Sequence, residues 1–157
     1  MFTDMNAKFP RVLSEDERKE VLLYLKNRFG IPFETFDDYE ILRGVSNFWL
    51  YPKNNCLPLV SKLQIQTVGL LFLRKVSRYL KPTSAFLQRF GYLATKNIVQ
   101  LSSEQIKEIK ENKKIPLELD IEPGYVILRD ENWILGCGLY VSGKLVSYLE
   151  EKLLRNL

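Results

Sequence analysis

NIVQLSSEQIKEIKENKK, residues 97–114, is the stretch that decides the fold, because it places one helix among short strands. Its opening NIVQL has the apolar content and length of a strand. Ser102 then begins a helix, since its hydroxyl and the side chain of Gln105 complete a capping box. Ile106 and Ile109 face inward, while Glu and Lys cover the outer face. We therefore expect a strand followed by an exposed helix.

Downstream of this helix, apolar runs separated by turn residues predict further strands. A Pro-Gly bend at residues 123–124 leads into YVILR, ILGCGLYV follows at residues 134–141, and Ser-Gly at residues 142–143 turns the chain into KLVSYL. Several short strands with one inserted helix are typical of a small, partly closed barrel. Residues 150–157 fit either a terminal helix or a loose tail.

The N-terminal part predicts a mixed α+β unit. Ser14 and Glu17 complete a capping box, and the helix that they begin ends before Gly30. Because no linker separates the two parts, we expect an α+β protein in which a lobe of residues 1–94 docks on a barrel of residues 95–157. The further elements predicted in the lobe are a hairpin over 39–53, a loop over 54–60, a strand over 62–76 and a short helix over 81–93, capped by Thr83 or Ser84.

The composition is that of an intracellular globular protein. The chain has 157 residues, of which 46% are hydrophobic and 27% charged. No apolar run reaches the roughly 18 residues needed to span a bilayer, and the first residues lack the pattern of a secretory signal. Two cysteines, Cys56 and Cys137, are too few for a disulfide framework. We expect a cytoplasmic protein, nucleolar in a eukaryote, without contact to a membrane.

Residues suited to catalysis are scarce. The chain has no histidine, and it lacks both the Gly-rich phosphate loop and the strand-linked G-x-G-x-x-G of dinucleotide sites. Glu118, Asp120 and Glu122 alternate as in a metal loop, but the Gly and the final Glu of a calcium loop are missing. We therefore expect no enzymatic activity, no cofactor and no metal.

The cations concentrate where acids are missing. Residues 41–103 contain nine Lys or Arg and no Asp or Glu, whereas the segments on both sides carry more acids than bases. Burial would explain the missing acids but not the added cations, so a surface that faces a polyanion is favoured. Most of the interleaved phenylalanines are expected in the core, and Tyr79 is the candidate for stacking on an unpaired base. The candidate phosphate contacts are Arg74, Lys75, Arg78, Lys81, Arg89 and Lys96.

The C-terminal part resembles a PUA domain, the small RNA-binding pseudobarrel named after pseudouridine synthases and archaeosine transglycosylases. NIVQL, the helix after it, PGYVIL and LGCGLYVSGKL carry this resemblance. VGLLFLRKVSRYLKPTSAFLQRFG, residues 68–91, is similar to the pre-PUA segment of a family that includes small factors of large-ribosomal-subunit assembly. A similar tandem ends the Sun-type RNA 5-methylcytosine methyltransferases, with the same KP[ST] opening a helix.

The resemblance implies binding of structured RNA, with ribosomal RNA as the expected partner, by a pre-PUA lobe docked on a PUA-like barrel. PUA domains meet RNA around the inserted helix, the loop after it and the final strands. The loop NKKIPLELD departs from the family in lacking a glycine. The positions that carry over are Lys113, Lys114, Gly124 and Lys144, with Lys152 and Arg155 if the tail folds back.

Three functions stay open at this point. The leading one is non-catalytic binding of ribosomal RNA in ribosome assembly or RNA modification, which would bring a ribosome-assembly factor as a further partner. The second is an accessory subunit that targets an RNA methyltransferase in trans. The third is an adaptor whose basic face meets an acidic protein. The methyltransferase catalytic domain has no counterpart in the resemblance, so no methyl transfer is implied.

Overall fold

A computed structural model describes residues 9–54, 56–60 and 69–157 of the protein. Its strands form two five-stranded sheets. The strands of the first sheet are β1 (Arg11–Val12), β2 (Tyr39–Arg43), β3 (Asn47–Pro52), β4 (Leu70–Val76) and β5 (Tyr79–Pro82). Each pairs antiparallel with the next along the chain. The first sheet is therefore a meander with β5 at one edge.

The second sheet is a curled half-barrel. Its strands are β6 (Ile98–Gln100), β7 (Lys114–Pro116), β8 (Gly124–Arg129), β9 (Ile134–Val141) and β10 (Lys144–Ser147). They lie in the order β6-β8-β9-β10-β7, and only β6 runs parallel to its neighbour among these described strands. The protein is thus mixed α+β, as the sequence predicts.

Helices pack on both sheets, and their predicted caps are confirmed. The helices are α1 (Glu15–Phe29), α2 (Leu57–Val60), α3 (Ser84–Phe90), α4 (Ser103–Asn112) and α5 (Glu151–Leu154), with 3₁₀ turns at Phe33–Phe36 and Gly91–Leu93. The hydroxyls of Ser14 and Ser102 accept from the backbone N–H groups of Glu17 at 3.3 Å and Gln105 at 3.2 Å. Thr83 caps α3. Within the described residues, no helix is long and apolar enough to cross a bilayer.

The second sheet separates two hydrophobic cores. One face contributes Tyr125, Ile127 and Cys137 to a core shared with α1, α3 and the first sheet. The alternate residues, such as Val126 and Leu128, point to a second core that α4 and α5 close. Both faces of this sheet are therefore covered over most of their area.

Several elements differ from the predictions. The loop predicted over residues 54–60 contains α2. Strands β5 and β7 have no predicted counterpart, because β5 ends in Pro82, which is typical of a helix start, and β7 has only three residues. An edge strand tolerates a proline, which cannot donate to a ladder. Of the strand predicted over residues 62–76, the stretch 61–68 lies outside the described residues, and Leu70–Val76 forms β4.

The C-terminal tail folds back on the barrel. Leu154 of α5 is only 6% exposed and belongs to the second core. Lys110 of α4 donates from Nζ to the carbonyl oxygen of Leu157 at 2.9 Å. Of the two alternatives for residues 150–157, the terminal helix is the one observed.

Candidate nucleic-acid interface

The hairpin of β4 and β5 carries four of the predicted cations. Arg74 and Lys81 are directly opposite each other, and Lys75 is opposite Leu80. Arg74, Lys75 and Arg78 are exposed, whereas Lys81 is half-buried. Because paired strands fix the Cα positions, these cations project from a rigid ribbon.

Tyr79 lies at the tip of this hairpin under the guanidinium of Arg78. Arg78 Cζ is 5.3 Å from the centroid of the Tyr79 ring, and Arg78 Nε donates to the phenolic oxygen at 3.2 Å. The turn before it passes through Ser77 with φ of 57°. The Tyr79 side chain remains 56% exposed. Cation and ring are thus held together at the turn between β4 and β5.

Lys81 connects the hairpin with the second sheet. Its Nζ lies 3.4 Å from the centroid of the Tyr148 ring, and that ring is 6.4 Å from the ring of Tyr125 on β8. Burial lowers the pKa of Lys81, and the charge of Arg74 lowers it further. Lys81 and Arg74 also line a concavity of about 330 Å³ that ends at Glu150. This concavity therefore reaches from the hairpin to the residues after β10, where Glu150 is its charged side chain.

A larger cleft of about 580 Å³ opens on the other side of the hairpin, and we call it the hairpin cleft. Its only charged side chains among the described residues are Arg28 and Arg78. The remaining surface is mostly aromatic or aliphatic. The hairpin cleft is lined by Tyr24, Arg28, Arg78, Tyr79, Leu80, Pro123, Gly124, Tyr125, Leu139 and Val141.

Arg28 forms part of the cleft wall and is fixed by the backbone of β8 and the loop before it. Its Nε donates to the carbonyl oxygen of Tyr125 at 2.8 Å and its Nη1 to that of Glu122 at 3.1 Å. Arg28 Nη2 is buried and, among the described residues, is the one buried side-chain nitrogen or oxygen without a hydrogen-bond partner. Burial lowers the pKa of Arg28. This guanidinium is held in place with one N–H group unused.

Gly124 makes room for Arg28. The residue has φ of +149°, and a Cβ built on it would lie 3.0 Å from Arg28 Cζ. Gly124, which the family resemblance names as an RNA contact, therefore also has a structural role in seating this arginine.

Lys114 and Lys144 lie on the face of the second sheet that borders the hairpin cleft. Lys144 is opposite Val141, and Val146 is opposite both Leu139 and Lys114. Facing residues of adjacent strands share a face, so both lysines lie on the side of Leu139 and Val141. Both are exposed. The structure thus brings two barrel lysines to the same side as the hairpin.

Five predicted residues lie elsewhere. Arg89 is on α3 beside Phe90, and Lys96 donates from Nζ to the carbonyl oxygen of Asn27 at 3.5 Å. Lys113 Nζ lies 3.8 Å from Glu151 Oε1, so it is already paired with a carboxylate. Lys152 and Arg155 are exposed on α5, in the layer that covers the opposite face of the second sheet. Of the candidate phosphate contacts in residues 41–103, Arg89 and Lys96 therefore lie on elements other than the hairpin.

The residues brought together around the hairpin are called the hairpin face from here on, although Arg74 and Lys81 point to one side of the paired strands and Lys75 points to the other. They are Arg74, Lys75, Arg78, Tyr79, Lys81, Lys114, Gly124 and Lys144. The ion pairs of the described residues are Arg11–Glu17, Arg43–Glu17 and Lys113–Glu151, so no cation of the hairpin face is paired with a carboxylate in that part of the chain.

Sequence reasoning missed Arg28, Tyr125 and Tyr148. Arg28 lies in the acid-rich N-terminal third, where local charge gives no signal, and only the packing of α1 on β8 brings it to the cleft. The two tyrosines follow ordinary strand patterns. It also missed Trp133, which is 72% exposed. Trp133 and Tyr92, an aromatic residue interleaved with the cations in the sequence and 73% exposed, line a separate concavity of about 300 Å³.

Comparison with known proteins does not assign the chain to a family. No protein-family model matches the chain, and no curated protein matches it in sequence. In the described residues, no group of three or more His, Cys, Asp or Glu is placed to hold a metal ion.

Proposed function

We propose that this protein binds structured RNA through the hairpin face and catalyses no reaction. The observation that carries the proposal is the cluster of cations on the β4–β5 hairpin, beside an exposed tyrosine and the hairpin cleft. Within the described residues, no carboxylate pairs with these cations and no acid lines the cleft. Cations neutralise phosphates, and aromatic rings stack on unpaired bases. Surfaces of this composition bind RNA by its shape and its exposed bases more than by paired sequence.

In this proposal residues 1–94 form a pre-PUA lobe and residues 95–157 a PUA-like pseudobarrel. The curled second sheet with α4 inserted between β6 and β7 supports the assignment, because it has the element order on which the resemblance depends. The RNA would then be ribosomal, and the protein would act in the cytoplasm or nucleolus during ribosome assembly or RNA modification.

The strength of binding should depend steeply on salt. If four to six phosphates contact the hairpin face, the plot of log affinity against log salt has a slope of about −3 to −5. The triple reversal Arg74→Glu, Lys75→Glu and Arg78→Glu should abolish binding to ribosomal RNA fragments. Because all three side chains are exposed, the melting temperature should stay near that of the wild type.

A second triple reversal provides the control. Lys19, Lys53 and Lys107 are exposed and lie outside the hairpin face, and their replacement by Glu changes the net charge by the same amount. This variant should keep most of the affinity. If both triple variants lose binding equally, only net charge matters and no defined surface exists. If neither loses binding, the RNA site lies elsewhere.

An acidic protein partner would meet the same cations. Competition between an RNA fragment and polyglutamate of equal charge separates the two possibilities, because only RNA offers bases to Tyr79. Equal competition would favour the adaptor. An accessory role beside an RNA methyltransferase would instead appear as RNA binding that needs the enzyme to be present.

A further inference from the structure

The hairpin cleft has the dimensions and walls of a small-ligand site. Its volume of about 580 Å³ lies within the usual range of roughly 300–1,000 Å³ for ligand pockets. Leu80, Leu139 and Val141 supply aliphatic surface, and the exposed ring of Tyr79 stands at the hairpin tip. Val141 is 42% exposed, so water contacts apolar surface here that a flat ring would cover.

The charges around the cleft select among possible occupants. Arg78 lies at the hairpin tip and Lys144 pairs with Val141 beside the turn between β9 and β10, so cations stand on two sides of the apolar surface. Arg28 adds positive charge to the wall, while its free Nη2 is buried behind the surface of the cleft. No carboxylate of the described residues lines the cleft. An occupant with a flat apolar body, hydrogen-bond acceptors and flanking negative charge fits this arrangement.

A nucleotide has those three properties. Its base is flat, its carbonyl oxygens and ring nitrogens accept hydrogen bonds, and a phosphate lies on each side of it. A base inside a duplex cannot enter a cleft, because it is stacked and paired, whereas a bulged or loop base can be extruded. A wholly apolar peptide would cover Arg78 without bringing a negative charge to pair with it.

We propose that the hairpin cleft takes the base of a single unpaired nucleotide, with Tyr79 stacking on it and Arg78 and Lys144 on the adjacent phosphates. This inference rests on the proposed RNA binding and makes it more specific. The preferred RNA is a duplex with a bulge or a loop, since the duplex satisfies the cations and the extruded base fills the cleft.

The test uses three RNA hairpins that differ at one position. The first carries a single bulged nucleotide, the second has an abasic residue in the bulge, and the third is fully paired. The wild-type protein should bind the first about tenfold more tightly than the second, as expected for one stacked base. The abasic RNA keeps the bulge and its phosphates, so this ratio measures the base alone.

Two variants test whether the preference for the bulged over the abasic RNA arises in the hairpin cleft. Tyr79→Ala removes the stacking ring, and Val141→Trp fills the cleft from the opposite side. Each should bring the ratio of the two affinities to about one. Their controls are Tyr92→Ala, at another exposed tyrosine, and Val12→Trp, at an exposed strand position on the opposite edge of the first sheet. Both controls should keep the ratio, and thermal melting verifies that each variant is folded.

The outcomes are distinguishable. Equal affinity of the wild type for the bulged and abasic RNA, with salt-dependent binding retained, overturns the base pocket and leaves RNA binding intact. Absence of salt-dependent binding to all three RNAs overturns the proposed function itself. A preference that survives both cleft variants places the base elsewhere and also overturns the inference.

Discussion

Lys81 Nζ lies 3.4 Å from the centroid of the Tyr148 ring, and this contact joins the first sheet to the second. Tyr148 is itself fixed, because its backbone N–H donates to the carbonyl oxygen of Cys137 at 3.0 Å. A cation over a tyrosine face is attracted by the ring quadrupole. The position of the hairpin relative to the half-barrel depends in part on this pair.

The pair should therefore be energetically coupled. A double-mutant cycle of Lys81→Met and Tyr148→Leu is expected to give a coupling free energy of about 0.5–2 kcal/mol, measured by urea unfolding. The matched cycle of Arg78→Met and Tyr79→Leu tests an exposed pair of neighbouring residues and should give a smaller value. Coupling within error of zero for Lys81 and Tyr148 would mean that the contact does not hold the hairpin.

Gly124 is expected to be intolerant of a side chain. Its φ of +149° opposes alanine, and so does the position that a Cβ would take, 3.0 Å from Arg28 Cζ. Gly124→Ala should lower the free energy of unfolding by more than about 1 kcal/mol. In an Arg28→Ala background the contact is gone and only the backbone strain remains, so the penalty should be smaller. The same penalty in both backgrounds would show that Arg28 does not press on Gly124.

The N-terminus of α1 should make stability sensitive to acid. Arg11 donates to Glu17 at 2.7 Å, and this hydrogen bond with the cap at Ser14 lowers the pKa of Glu17 from 4.5 to about 2. Because the folded pKa lies below the ordinary value, ionised Glu17 stabilises the fold above pH 4.5 and this contribution is lost as the pH falls through 2.

Melting temperatures measured at a series of acidic pH values test whether ionised Glu17 stabilises the fold. Between about pH 5 and pH 2 the wild type should lose more thermal stability than Glu17→Gln, which cannot ionise. Glu20→Gln is the control, since it makes the same change at an exposed position of the same helix. Parallel curves for the wild type and Glu17→Gln would contradict the role given to the ion pair.

Local signals in the sequence predicted the helices well and the site only in part. The capping boxes at Ser14 and Ser102 are complete within four residues, so short-range chemistry was enough to find α1 and α4. Strand β5 becomes visible only through its pairing with β4, because YLKP has neither strand length nor alternation. Elements defined by a partner strand cannot be found from local pattern alone.

In the candidate site, too, residues close in sequence were predictable, and contacts between distant segments were not. Arg74, Lys75 and Arg78 are close in sequence, and the hairpin keeps them close in space. Arg28 reaches the cleft from a distant helix through hydrogen bonds to β8, and no spacing in the chain indicates that contact. Conversely, the resemblance implies an RNA contact at Lys113, yet the folded tail supplies Glu151 as its partner.

The two cysteines should differ sharply in reactivity. Cys56 is exposed, whereas Cys137 is buried and desolvation raises its pKa to about 12. Because the thiolate is the reactive form, a disulfide reagent at about pH 8 should label one thiol of the native protein and both after unfolding. Cys56→Ser should abolish native labelling. Labelling of Cys137 in the native Cys56→Ser variant would show that the core between the two sheets, which contains Cys137, opens readily.

Two lysines on opposite sides of the half-barrel should differ in their effect on RNA binding. Lys144 and Lys152 are both exposed and both are expected RNA contacts from the sequence, but Lys144 alone lies on the hairpin face. Lys144→Glu should weaken binding to a structured RNA about fivefold or more and reduce the magnitude of the salt slope by about one. Lys152→Glu changes the net charge identically and should weaken binding less than about twofold. Equal losses would extend the RNA across both faces of the second sheet, and a larger loss for Lys152→Glu would move the interface to α5.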